Sequence, residues 1–256
     1  ELAKCESVSM LTLVLEKLEK DFSHDELQNF IKHKSNDGEN LLHFAATNNN
    51  NEEVVELIVN FIERINGKTE IQLMLSEYDY EFDTNLPLYC AISLNNLKVF
   101  KTIFTLYEHN FSSLQNIEFL SSKDEEDGTD FLHEAALFLN SKEIIEFVWS
   151  KIENLTEDKE GLKELLLSKA CRNENALISS IKSQNEVFYC FAFEHCYCKY
   201  FNLKDFVYKM QEIHDENFLH KVAMWGSYSM VKLTVEKLKK EFPSEDFKDY
   251  LKYIEA

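Results

Sequence analysis

Residues 127–136 read DGTDFLHEAA, and residues 37–46 read DGENLLHFAA. The two stretches share an Asp-Gly, a Leu-His and an Ala-Ala, and they lie 127 − 37 = 90 positions apart. A degraded copy, TNLPLYCAI at 84–92, stands between them, and ENALISSI at 174–181 and ENFLHKVA at 216–223 follow. Aligned on the residue after the leucine, the five copies place His43, Tyr89, His133, Ile178 and His220 in register. The steps are 46, 44, 45 and 42 residues. A near-constant step of this size marks a repeat array. A second alignment avoids these anchors. Residues 7–22, SVSMLTLVLEKLEKDF, match residues 227–242, SYSMVKLTVEKLKKEF, at an offset of 220, or five steps. Nine residues recur there as identities without a gap, among them Ser7, Met10, Lys17, Leu18 and Phe22.

The motif DG-x-x-x-L-H-x-A-A, followed by a polar turn and an apolar helix, resembles the ankyrin repeat. Three departures stand out. The Thr-Pro usual in that family is replaced by Asn40-Leu41 and Asp130-Phe131. The Gly-His usual in the turn between helices survives only as Gly226-Ser227, with Asn95-Asn96 and Gln184-Asn185 elsewhere. The step exceeds the family period of about 33 residues by roughly ten.

The reading is an all-α, ankyrin-like helical solenoid of five full units plus partial units at both ends, in a single array over residues 1–256. A partial unit at 1–35 precedes units at about 36–81, 82–126, 127–171, 172–213 and 214–256. Five Gly and two Pro in 256 residues, with 45% apolar residues, suit helices packed around a continuous core. Residues 10–22 carry apolar side chains at 10, 11, 13, 14, 15 and 18, which predicts a helix with a wide buried face. Ser23 and Glu26 form a capping box for the next helix. Residues 41–48 and 52–65 predict a short and a long helix. The β-hairpin that the ankyrin resemblance would place next is missing. A third helix is expected instead at 69–76, 114–120, 162–167, 203–210 and 247–254.

Composition narrows function. Net charge is 27 − 46 = −19, which opposes non-specific nucleic-acid binding and docking on anionic membranes. No run approaches the ~18 apolar residues of a membrane span. Six cysteines at 5, 90, 171, 190, 196 and 198 do not follow the repeat and suit a reduced, cytoplasmic chain. The cluster Cys190, His195, Cys196 and Cys198 lacks the paired spacing of a zinc site, so buried cysteine is expected and no metal. The repeated histidines stand a step or more apart, too far for one metal to bridge. The resemblance implies a framework role for them, hydrogen-bonding to the neighbouring unit. No nucleotide loop or hydrolase motif occurs, and no catalytic residue or cofactor is expected.

The resemblance also implies a binding surface. The two positions after the Ala-Ala pair face the partner groove in ankyrin repeats. Here they are Thr47-Asn48, Ser93-Leu94, Leu137-Phe138, Lys182-Ser183 and Met224-Trp225. The partner-binding residues expected are Leu94, Leu137, Phe138, Met224 and Trp225, unless the added helices bury them. The function expected is a scaffold or adaptor for a protein partner. The alternative is a targeting or regulatory segment of a larger effector, toxin or channel, since each terminus cuts through a unit. End-to-end self-association is a further expectation.

Overall fold

Most of the described helices begin where a polar side chain accepts from free backbone N–H groups. The computed structural model describes residues 7–48, 51–77, 86–93, 95–124, 127–156, 159–170, 174–209 and 218–242. These residues hold helices and no β-strand. The chain divides into two compact units, Glu1–Glu126 and Asp127–Ala256, the division falling between repeat steps in the sequence.

The first unit opens with α1 (Val8–Asp21) and α2 (His24–Lys32), then runs α3 (Leu41–Asn48), α4 (Glu52–Asn66) and α5 (Lys68–Ser76). It continues with α6 (Pro87–Ser93), α7 (Leu97–Asn110) and α8 (Ser113–Ser121). The second unit contains α9 (Phe131–Phe138), α10 (Lys142–Leu155), α11 (Lys159–Leu167), α12 (Ala176–Lys182) and α13 (Glu186–Phe191). A π-helical segment (Ala192–Tyr197) continues α13 into α14 (Cys198–Tyr200). Then come α15 (Leu203–Lys209), α16 (Phe218–Trp225) and α17 (Tyr228–Glu241). A step is thus a short helix, a long helix and a third helix in place of the hairpin. The expected third helix at 247–254 lies outside the described residues, as does most of the turn at 49–51.

The departures from the ankyrin pattern have local causes. Asn40 and Asp130, where Thr is usual, act as N-caps. Asn40 Oδ1 accepts from the Leu42 and His43 N–H groups at 2.9 and 3.2 Å, and Asp130 Oδ1 from those of Leu132 and His133 at 3.0 and 3.2 Å. Asn40 Nδ2 also donates to the Met74 carbonyl at 2.8 Å, tying the short helix to the third helix of its step. Where glycine is missing from the helix-to-helix turn, Asn95 and Gln184 carry φ of 51° and 57°. That left-handed backbone is the region glycine adopts at least cost.

The long helices carry the packing. Each follows a Ser or Asn cap: Ser7, Asn51, Asn96, Ser141, Asn185 and Ser227. Counting from the cap, positions three, seven and eleven form one stripe. In α4 they are Val54, Ile58 and Ile62, and in α7 Val99, Ile103 and Tyr107, all buried. In α10 they are Ile144, Val148 and Ile152, and in α17 Met230, Thr234 and Leu238, buried as well. Positions four and eight form the stripe toward the next step of the same unit, as with Leu11 and Leu15 in α1 or Val55 and Val59 in α4.

Step 4 holds one extra residue, and the π turn absorbs it. Tyr107, eleven after its cap, donates from Oη to the Leu75 carbonyl at 2.6 Å. Tyr197, twelve after its cap, makes the same bond to Leu166 at 2.6 Å. Both carbonyls lie in the last turn of the preceding third helix. A single-residue insertion is what a π-bulge accommodates.

Between consecutive long helices runs a ladder of ion pairs: Glu19 with Arg64, Glu52 with Lys98 at 2.6 Å, Glu153 with Lys199 at 2.7 Å and Glu194 with Lys237 at 2.7 Å. The base stands one position further from its cap than the acid, once the inserted residue of step 4 is discounted. These pairs are exposed and contribute little individually. Their regularity fixes the register in which the helices lie.

One expectation is corrected. The wide buried face of residues 10–22 narrows to Leu11 and Leu15, while Met10, Leu13 and Val14 are exposed. Among the described residues, no element covers the stripe of α1 that the later steps bury.

Two substitutions in step 4 test this account. Asn185 Nδ2 donates to the Ala136 and Leu139 carbonyls at 2.9 and 2.8 Å, and its Oδ1 caps α13 through the Phe188 N–H. Asn185→Ala removes the cap of α13 and the amide bonds to both carbonyls, of which Ala136 keeps Ser183 Oγ, and is expected to cost about 1–3 kcal/mol in chemical denaturation. Gln184→Gly relieves the left-handed strain and is expected to raise stability by up to ~1 kcal/mol.

Candidate functional site

The residues expected to meet a partner sit at the C-terminal ends of the short helices. In the second unit α9 packs on α12, and α12 on α16. Leu137 and Phe138, Lys182 and Ser183, and Met224 and Trp225 occupy equivalent places on these three helices. The repeat therefore sets them in a row. The added helices do not bury the large side chains. Leu137 is 41% exposed, Phe138 48%, Met224 59% and Trp225 44%. The middle of the row is polar. Lys182 pairs with Glu174, which Lys221 also approaches at 3.7 Å, and Ser183 Oγ donates to the Ala136 carbonyl at 3.2 Å.

In the first unit, Thr47 is half-buried and donates from Oγ1 to the His43 carbonyl at 2.8 Å. Leu94 lies outside the described residues, as do the side chains of Asn48 and Ser93.

Two exposed side chains near the start of the long helices join the row and were missed in the sequence. Val187 is 37% exposed and Tyr228 81% exposed. They stand two and one positions after the caps Asn185 and Ser227, where a helix residue points away from both packing stripes. That position was the available signal. Beside Val187, the groove between α10 and α13 is lined by Lys142, Glu186, Cys190, Phe191, Glu194 and His195. Its carboxylates are held ionised. Hydrogen bonds from Ser229 and Ser227 lower Glu186, and the bond from Lys237 lowers Glu194.

The repeated histidines lie in the frame. His133 is buried, with Nδ1 2.8 Å from Asp130 Oδ1, and its Nε2–H donates to the Glu174 carbonyl of the next step at 2.8 Å. His43 Nδ1 accepts from the Asn40 N–H at 3.3 Å. Tyr89, in the same place, donates to the Phe119 and Ser122 carbonyls and so ties α6 to α8.

The cysteine-rich segment is part of the core on one side only. Cys196 is buried, whereas Cys190 and Cys198 are half-exposed. Burial pushes the Cys196 thiol well up and Cys198 up to about 11, and raises Cys190. Among the described residues, no three His, Cys, Asp or Glu side chains come together as metal ligands. Nearby, burial works against ionisation of Glu153, but bonds from Lys199, Tyr200 and Trp149 outweigh it and lower its pKa. That carboxylate clasps the long helices of two steps.

Thiol labelling of the native protein near pH 8 tests this setting. Cys196 is expected to stay unlabelled until unfolding, with Cys190 and Cys198 slower than an unstructured cysteine, because the thiolate is the reacting form. Rapid labelling of Cys196 would contradict its place in the core.

No described helix is long and apolar enough to cross a membrane. No curated protein matches the chain. A family model described as the ankyrin repeat matches residues 37–68, which span α3, α4 and the turn leading into them. The match and the helix order identify these residues as an ankyrin repeat and the fold as all-α, ankyrin-like and built of helical repeats.

Proposed function

We propose that the chain is a scaffold or adaptor that binds a protein partner through the apolar row of its second unit. Ankyrin repeats are in general protein-interaction modules, and the repeat at 37–68 supports that reading. The observation that carries the finer reading is the exposure of Leu137, Phe138, Met224 and Trp225 on successive packed helices. Large apolar side chains gathered at a surface mark interaction sites, and buried aromatic anchors dominate the energetics of such interfaces. Of the short helices that carry the row, α9 is fixed by its buried Asp130 cap and by the His133 bond to the next step, so little order is lost there on binding. The ion-paired Lys182 and Glu174 between the apolar groups supply polar selectivity.

The test is affinity capture from the source tissue with wild type beside a Phe138→Glu, Trp225→Glu double variant. Both side chains are nearly half exposed, so circular dichroism is expected to show unchanged helicity. A partner held by the wild type is expected to bind the variant at least roughly tenfold more weakly. Equal retention of the same partner would remove the row as the site. An unfolded variant would show these side chains to be structural.

A further inference from the structure

Two of the repeated histidines follow different side chains at the start of their short helices. Asn40 stands three residues before His43, and Asp130 three residues before His133. Asn40 and Asp130 cap alike, each accepting through Oδ1 from the first N–H groups of its helix. They differ by a charge. Asp130 and His133 are both buried, with at most 1% of either exposed.

The hydrogen bonds of His133 fix how many protons its ring holds. Nε2 lies 2.8 Å from the Glu174 carbonyl, which can only accept, so Nε2 carries a proton. The Ala170 N–H donates to the same carbonyl at 2.9 Å and holds it in place. Nδ1 lies 2.8 Å from Asp130 Oδ1. A carboxylate also only accepts, and two acceptors at that distance repel, so a second proton lies between them. Oδ1 already accepts from the Leu132 and His133 N–H groups, which places this proton on Nδ1. The Asp130 N–H stands 3.3 Å from the same nitrogen, and this longer contact is the one given up. Asp130 Oδ2 is buried without a hydrogen-bond partner among the described residues. His133 therefore supplies the countercharge that a buried, ionised Asp130 needs. We propose that Asp130 and His133 form a buried carboxylate–imidazolium pair, and that the proton it holds is a pH-dependent link between α9 and the start of α12.

The other titratable and charged groups around the pair are already engaged or held neutral. Tyr197 and Cys196 of the π segment are both kept neutral, chiefly by burial. On the α12 side, Glu174 faces Lys182 and Lys221. Glu186 of α13 accepts from Ser227 Oγ at 2.7 Å, and Glu134 of α9 itself is half-buried. An unstructured histidine gives up its second proton near pH 6.5. The folded pair keeps that proton to higher pH, because its loss leaves one ring nitrogen facing an acceptor. The stability the pair contributes is therefore complete below about pH 6.5 and is lost as the pH rises through the point where the folded pair deprotonates. Since α9 carries Leu137 and Phe138, their presentation then depends on pH as well. That consequence rests on the proposed function, and the pair itself does not.

Nitrogen NMR of the histidine rings in the wild-type chain near pH 8 tests the pair directly. His133, assigned through the backbone of α9, is expected to show both ring nitrogens protonated at a pH where an unstructured histidine is almost entirely neutral. A neutral ring of either tautomer overturns the proposal. Asp130→Asn copies the Asn40 cap and is expected to leave His133 neutral at the same pH. An imidazolium retained in that variant also overturns the proposal, because Asp130 would then not hold the proton. Chemical denaturation between about pH 7 and 9 gives a second readout. The unfolding constant of the wild type is expected to rise relative to that of Asp130→Asn by up to about tenfold per pH unit, and the same pH dependence in both overturns the proposal. If Asp130→Asn does not fold, the wild-type ring spectrum alone decides.

Discussion

The buried stripe at three, seven and eleven residues after each cap is the constraint on which the rest depends. A short helix of eight residues is marginal alone. It becomes stable here because a long helix beside it fills the space between two steps with Val, Ile, Phe and Leu. The cap matters because it sets the phase. A Ser or Asn that accepts from the first free N–H groups decides where the helix starts, and from that start the apolar positions turn toward the neighbour. Sequence, cap, phase and burial form one chain of cause. Step 4 shows how firmly the phase is held. An extra residue enters the long helix, and the backbone widens to a π turn, while Tyr197 keeps its bond to the third helix before it.

The same logic explains which positions are free for function. A helix that commits two stripes to packing has one side left. The ends of the short helices and the first turns of the long ones fall on that free side, and there the second unit places Leu137, Phe138, Met224, Trp225 and Tyr228. Natural surfaces expose single apolar residues routinely. Here they recur at equivalent places on packed helices, and that recurrence carries more weight than any single side chain. The framework residues do the opposite. His133, Asp130 and Asn185 are polar and buried; His133 and Asn185 donate to backbone carbonyls of adjoining segments, and Asp130 accepts from the first N–H groups of α9.

Much of this was legible in the residues, for physical reasons. Leu-His and Ala-Ala recur because a close-packed helix pair tolerates little else, so the repeat, the three-helix step and the cap at Ser23 could be read directly. The spacing of the histidines ruled out a shared metal, and the ankyrin resemblance implied their place in the frame. What could not be read was which apolar stripe would find a cover. Met10 and Met230 sit in nearly the same sequence, yet one is exposed and the other fully buried. Local pattern gives the face of a helix and is silent about its neighbour. The π turn was hidden for a similar reason, since a one-residue insertion leaves no mark in composition. Leu94 lies outside the described residues, so its place in the row is not part of the structural account.

The most direct test of the central claim is a comparison of one position in two helices. Val14 and Ile58 both stand seven residues after their caps, in α1 and α4. Both are replaced by Ala, and stability is read by denaturant unfolding at low protein concentration. The account predicts a loss of about 2–5 kcal/mol for Ile58→Ala and less than ~0.5 kcal/mol for Val14→Ala. Equal losses at the two positions would contradict it, because the stripe would then stabilise the helix without a neighbouring step to cover it.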